Sequence, residues 1–254
     1  REGIGDLLAD GTKRLSEKFG GEEFAIHSKG LELSAYEPRR SVGMGLGYAT
    51  SNRGGCHLNG GYLVLLEGLA LNLDPLTTNS KAALTILFQN IMEAASAGGS
   101  CLFTCYLAIP AFMLEDANSW ITRTLNKSLT SFGPLMAGVV KMPAWMMPFH
   151  FPGLWHTQAL TRVTGMKMTF GRFKEIGERG YNLERMFNVK RGVTASDDAL
   201  PERLTKRPQD PMVPKSKVPL EALKKDYYSI RGWDLNGLPK QEKLVKLGIG
   251  RQVD

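Results

Sequence analysis

Between residues 48 and 62 the chain reads YATSNRGGCHLNGGY, which sets Cys56 beside His57 between two glycine pairs. The whole sequence holds four histidines and three cysteines, so this stretch concentrates a thiol and an imidazole at one bend. Glycine lets a backbone pass close to a bulky group. We read the bend as facing a cofactor, with His57 directed at it.

A second stretch, SAGGSCLF at residues 96–103, combines backbone freedom with a thiol. Gly98 and Gly99 would let amides approach an anionic group, and a helix starting near Cys101 would aim its positive end there. The same residues also read as a helix interrupted by glycine. Cys101 and Cys105, four apart, share a face if helical. With Cys56 and His57 they would make a three-sulfur, one-nitrogen zinc set. Adjacent ligands reach one tetrahedral ion poorly and neither pair has the usual two-residue gap, so zinc is set aside and Cys105 is expected as a buried small apolar residue.

Other motifs yield to simpler readings. GMGLG, from Gly43 to Gly47, has Tyr48 where a dinucleotide loop needs its third glycine. Asp197 and Asp198 precede ALPER and suit a turn or cap better than acid–base work. His27, His150 and His156 have no spaced partners and are expected to be structural.

The elements that must hold these residues are mostly helical. Ile4, Leu7, Leu8, Leu15 and Phe19 recur at helical spacing and predict a helix already running at residue 1. REGIGDLLADG carries neither an initiator methionine nor a signal-peptide pattern, so we read residue 1 as a cut. FAIHSKGLELSAYEPRR predicts an extended connector ending near Pro38. The seven glycines from Gly43 to Gly61 suit turns and close approach, with no long regular element expected. Residues 80–114 predict one or two buried helices broken at SAGGS, and residues 118–163 short helices between prolines. Phe170, Phe173, Ile176, Tyr181 and Phe187 mark the apolar face of an amphipathic helix, with Lys174, Glu178, Arg179, Glu184 and Arg185 opposite and Gly192 as its stop. LPERLTKRPQDPMVPKSKVP is expected as an extended surface strap. LEALKKDYYSIRGWD reads as the last amphipathic helix and GLPKQEKLVKLGI as a short helical tail. With no repeat and no regularly spaced β pattern, the fold class is mainly α, a helical domain with glycine-rich loops facing a cofactor.

Composition narrows the function classes. The chain has 254 residues, 43% of them hydrophobic, which suffices for a substantial core. Its net charge of +7 arises from 32 Lys+Arg interleaved with 25 Asp+Glu, a mixed solvated surface instead of a nucleic-acid face. Three cysteines point to a reducing compartment, and a cytoplasmic location is expected. The runs YLVLLEGLALNL, SCLFTCYLAIPAFML and MPAWMMPFHFPGLW are too short or interrupted to span a bilayer and are expected in the core. Trp145, Phe149, Phe151 and Trp155 are the residues an interfacial membrane contact would use, but no membrane partner is expected.

Five stretches carry a family resemblance: KGLELSAYEPR, GLGYATSNRGGCH, GERGYNLERMFNVKRG, DDALPER and YYSIRGWDLNGLP. In order and spacing the chain resembles the C-terminal part of the aldehyde ferredoxin oxidoreductase family, from about residue 1 to 247. The resemblance implies oxidation of an aldehyde with water to a carboxylate, with two electrons passing through a four-iron four-sulfur (4Fe-4S) cluster to ferredoxin. It implies tungsten or molybdenum held by two pterins, a tungstopterin or molybdopterin. Residues 1–30 would end the family's middle helical domain and 31–254 form its C-terminal one. His57 matches the histidine beside the metal-bound oxygen, and Cys101 the cysteine closing a D-x-x-G-L-C loop, the fourth thiolate of the cluster. Gly99, Ser100 and Leu102 line that loop. Ser96 stands where the family has aspartate, and Asn59 where it often has a basic residue; both are carried over as cofactor-binding positions. The other three cluster thiolates and the covering domain would come from missing N-terminal domains or a complementary chain, so the chain alone is expected to be inactive, with exposed apolar surface. The alternative, favoured by Ser96, is a cofactor-free helical interaction subunit or degenerate relative.

Overall fold

The computed structural model describes residues 2–69, 71 and 73–250. Its α-helices are α1 (Gly3–Leu8), α2 (Gly11–Phe19), α3 (Val42–Thr50), α4 (Lys81–Ala97), α5 (Ala111–Glu115), α6 (Trp120–Ser131), α7 (Gly133–Lys141), α8 (His156–Thr164), α9 (Phe170–Val189), α10 (Glu202–Lys206), α11 (Leu220–Arg231) and α12 (Gln241–Lys246). The strands among the described residues are β1 (His27–Ser28) and β2 (Leu31–Glu32), an antiparallel pair with His27 opposite Glu32. The fold is mainly α, as the pattern predicts.

Two long helices, α4 and α9, pack together at the centre. α4 holds five Ala and two Leu among its 17 residues, types that lose little on becoming helical. It splits its apolar residues between two cores: Ala82, Ala83 and Ile86 join Tyr181, Leu223, Tyr227 and Trp233, while Met92, Ala94 and Ala95 join Phe170 and Phe173. At Gly177 of α9 the helices nearly touch, since a Cβ there would lie 1.7 Å from the Asn90 carbonyl oxygen. SAGGS ends α4 as expected. Gly99 turns left-handed at φ 72°, and the amides of Gly99 and Ser100 donate to Ser96 O and Ala95 O, each at 3.0 Å, the two bonds of a Schellman stop.

The glycine-rich segment departs from expectation. Gly43, Gly45 and Gly47 lie inside α3, every residue of which is buried. Their missing side chains make room for neighbours: a Cβ on Gly47 would sit 2.3 Å from Gly60 O. Close approach is thus achieved within a helix. Glu67 caps its start, accepting from the amides of Gly43 (2.9 Å) and Met44 (3.2 Å) and from the Ser41 hydroxyl, and it pairs with Lys81 at 2.5 Å. A carboxylate at a helix N-terminus is favourable, and Lys81 supplies the opposite charge that burial demands.

Other expectations also need correction. The first helix is two, parted before Gly11, whose φ of 77° cannot continue α1. The supposed polar face of α9 is largely buried, because a central helix has neighbours on several sides. Lys174 donates to Val140 O and Met142 O, both at 2.7 Å, closing the end of α7, and Glu178 pairs with Lys243 at 2.5 Å. Phe187, assigned to the apolar face, is exposed. The strap contains α10 and is pinned into the core by Leu204 and Val218. Asp197 does close a turn by accepting from Thr194 N at 2.8 Å, but Asp198 is fully buried between Lys29 and Arg185. Two of the three apolar runs are only partly core: Cys105, Met147 and Leu154 are buried in the second core, but Phe103, Leu107, Trp145, Phe149, Phe151 and Trp155 are exposed, since no described element covers them. No helix among the described residues is long and apolar enough to cross a membrane.

Candidate functional site

The bend after α3 is built from its own polar side chains. Asn59, which is buried, accepts through Oδ1 from Ser51 Oγ (2.8 Å) and the Asn52 amide (2.9 Å). Its amide is thereby used inside the bend instead of pointing outward. The Cys56 sulfur accepts from Asn59 N at 3.4 Å. Between them His57 projects half-buried, with Nδ1 2.7 Å from Ser34 Oγ and no partner at Nε2 among the described residues. Burial lowers its pKa, so the imidazole is neutral around neutral pH.

Two tyrosines frame that ring. Tyr36 and Tyr62 lie 5.6 and 5.4 Å from it by ring centroid, and their hydroxyls meet at 2.7 Å. Tyr62 holds φ 50°, a conformation costly for an aromatic residue and fixed here by its amide's bond to His57 O at 2.9 Å. Burial, then the neighbouring Tyr36 hydroxyl, push the Tyr62 phenol up to about 12, so it keeps its proton. Tyr62 packs on Tyr106 at 4.9 Å. Tyr106 belongs to a 3-10 turn, Leu102–Ala108, whose N-cap is Cys101. The bend with His57 and the loop with Cys101 are therefore joined through Tyr62 and Tyr106.

In that second loop Cys101 is exposed and Cys105 is buried, while Cys56 of the bend is half-buried. Burial, then Cys101, push the Cys105 thiol up to about 12, which keeps it protonated and inert, in keeping with the small apolar role expected of it. Ser96 and Ser100 are half-buried, Gly99 has open space about it and Leu102 packs on the second core. The expected cradle of free amides is absent at Gly98, Gly99 and Ser100, because all three donate into the last turn of α4. The segment after Cys101 is held from below by His156, whose Nε2 lies 2.8 Å from Thr104 Oγ1; that hydroxyl donates to Cys101 O.

Two observations bear on what this wall would take. Cys101 is exposed and free. The Tyr106 hydroxyl is buried without a partner among the described residues, a donor suited to an acceptor on a bound group. Among the described residues no three His, Cys, Asp or Glu side chains cluster as a metal site. Tyr106 also lines an apolar groove of about 620 Å³ with Leu87, Ile91, Met92, Leu107 and Phe151. Sequence reasoning singled out His57 and Cys101 as candidates and did not consider Ser34, Tyr36, Tyr62 or Tyr106, which the fold places beside them. Their only signal is that Tyr62 and Tyr106 each follow the candidate by five residues.

A neutral imidazole and an exposed cysteine, joined through Tyr62 and Tyr106 on a helical scaffold, make up one candidate site. Comparison with known proteins makes the class particular. The family aldehyde ferredoxin oxidoreductase, domains 2 and 3, matches residues 1–249, and the chain belongs to this oxidoreductase family. It is similar to the tungsten-containing aldehyde ferredoxin oxidoreductases of Pyrococcus furiosus (35% identical), Pyrococcus horikoshii (33%) and Thermococcus kodakarensis (34%). Each match covers 98% of this chain and 35% of the relative, so the chain spans about a third of the length of these proteins.

Proposed function

We propose that this chain is the C-terminal portion of a tungsten, or molybdenum, bis-pterin enzyme that oxidises aldehydes to carboxylates and passes electrons to ferredoxin. The observation that carries this reading is the shared wall of His57, Tyr62, Tyr106 and the Cys101 loop in a chain of this family. Residues 1–30 close the middle domain in this reading, and residues 31–254 make the third.

A tungsten pterin, when bound, would accept the two electrons released as aldehyde and water become carboxylate. The chain's own residues do the rest. Ser34 orients the His57 ring through Nδ1, leaving Nε2 to hold water or take its proton as the aldehyde carbon is attacked. Cys101 would offer a thiolate to a 4Fe-4S cluster, Tyr106 would donate to the cofactor, and Gly99, Ser100 and Leu102 would shape the loop beside it. Ser96 would meet the pterin with a hydroxyl where the family has a carboxylate, a weaker acceptor. Asn59 supports the bend instead of touching the cofactor. The groove behind Tyr106 offers apolar room for the aldehyde's hydrocarbon part.

A cluster of this kind takes four thiolates, so the chain alone is expected to be inactive. In the full-length enzyme His57→Ala should lower aldehyde turnover about 100-fold, the usual scale for a lost acid–base group, with tungsten and iron near normal. Loss of metal instead would move His57 from chemistry to assembly. Cys101→Ser should deplete iron, and unchanged iron with unchanged spectra would refute its role as ligand. Ser96 favours a second reading, a cofactor-free interaction subunit, and a full-length protein purified without pterin would establish it.

A further inference from the structure

We propose that Glu184 is a positioning residue for His57: its carboxylate, carried on α9, clamps both legs of the bend that bears the imidazole. Asn52 Nδ2 donates to Glu184 Oε2 at 3.1 Å, and Asn59 Nδ2 reaches the same oxygen at 3.4 Å. His57 lies between those two asparagines. α9 holds the bend elsewhere too, since Tyr181 O accepts from Asn52 Nδ2 at 3.0 Å and Asn188 Nδ2 donates to Asn52 O at 2.8 Å. Those contacts fix Asn52 alone. Glu184 is the α9 side chain that ties the entry leg to the exit leg, and Asn59, bonded back to Ser51 and Asn52, completes the loop. Residues 181, 184 and 188 recur at three and four, so one rigid helical face carries the attachment.

A second carboxylate stands against the clamp. Glu93 on α4 lies against α9, its Oε1 2.8 Å from where a Cβ on Gly180 would sit, one turn from Glu184, with Arg53 of the bend and Arg231 of α11 as the nearby cations; burial, then Glu184, push its carboxyl up to about 7. Below that value Glu93 is neutral and adds no charge beside the clamp. Above it a second negative charge arrives beside the first, and repulsion works against the attachment. The placement of His57 is thus linked to pH through groups on three elements around it.

The inference rests on the reading of His57 given above, and its test separates the two. In hydrogen exchange of this chain, Glu184→Ala should speed exchange across residues 52–62 about tenfold, the scale of one lost charge-assisted hydrogen bond. Glu184→Gln, whose amide oxygen still accepts from both asparagines, should stay close to wild type. Glu93→Gln should abolish any loosening of the bend between about pH 6.5 and 8, the range around the raised Glu93 value, after correction for intrinsic exchange. In the holoenzyme Glu184→Ala should lower kcat with KM and iron content little changed. Unchanged bend exchange in Glu184→Ala with helix content intact overturns the clamp, as does a Gln variant as loose as Ala. A bend that loosens in an enzyme whose His57→Ala variant keeps full turnover overturns the positioning role and, with it, the reading of His57.

Discussion

Asp198 has no exposed surface and is met by Lys29 Nζ at 2.8 Å, Arg185 Nη1 at 3.0 Å and Tyr228 Oη at 2.6 Å. Lys29 also donates to Ala49 O, so this carboxylate ties the β1 turn, the end of α3, α9 and α11 into one body. Burial pushes its carboxyl up, but Lys29 and Arg185 outweigh burial and hold it below its ordinary value. A depressed carboxyl contributes stability that is present above its unfolded value, about 3.9, and is lost as pH falls through the lower folded one. Asp198→Asn should therefore cost about 3–5 kcal/mol at pH 7 and flatten the acid limb of a urea-unfolding series. An unchanged acid limb would assign acid lability to other groups. The sequence showed this residue only as half of an Asp-Asp pair before a proline, where a turn is the economical reading. Its partners at positions 29, 185 and 228 lie far off in the chain, and no local spacing brings them together. His57 and Cys101 were legible for the opposite reason, since each lies in a short glycine-bearing motif that can be read without knowing what packs against it. Ser34, Tyr36, Tyr62 and Tyr106 joined them only when distant segments met.

At the level of elements, α4 and α9 decide the packing, and glycine decides how closely they meet. Gly177→Ala would drive a methyl to within 1.7 Å of the Asn90 carbonyl oxygen, where only a shift of helix against helix relieves the clash. A loss of about 3 kcal/mol, at the upper end for overpacking, is expected in thermal unfolding. Gly138 on α7 has nothing within 4 Å of its added Cβ, so Gly138→Ala should stabilise by about 0.5–1 kcal/mol through the unfolded state. Equal effects at the two positions would mean that helix propensity, not the crossing, governs both. The lengths of α9 and α11 were legible from period and charge, because amphipathic helices advertise themselves. Which face of α9 was buried was not. Lys174, Glu178 and Arg185 read as solvent-facing, yet each has a partner from another element: carbonyls at the end of α7, Lys243 and Asp198. α3 was hidden too, because its glycines signal loops locally while their use is to let Gly60 and Val218 approach a helix.

Across the whole molecule, apolar surface is unevenly spread. Leu107, Phe132, Leu135, Trp145, Phe151 and Trp155 are exposed within one third of the chain, and Leu107 and Phe151 border the groove that Tyr106 shares with the candidate site. Exposed large apolar side chains in such number mark interfaces, and the relatives are about three times as long as the matched region. The surface is therefore expected to drive association of the chain when it is made alone. Trp145 is 77% exposed and Trp155 59%, so replacing both by serine should leave the unfolding midpoint nearly unchanged while reducing association. Light scattering and sedimentation velocity across a concentration series would measure it: growth of large species with concentration in the wild type, and a shift toward monomer in Trp145→Ser/Trp155→Ser. Trp fluorescence would add a local reading, with emission moving to shorter wavelength as the wild type associates because indole leaves water. A wild-type chain that stays monomeric throughout, with emission fixed at the solvated position, would show that these side chains are tolerated in water and that no cover is needed over the groove.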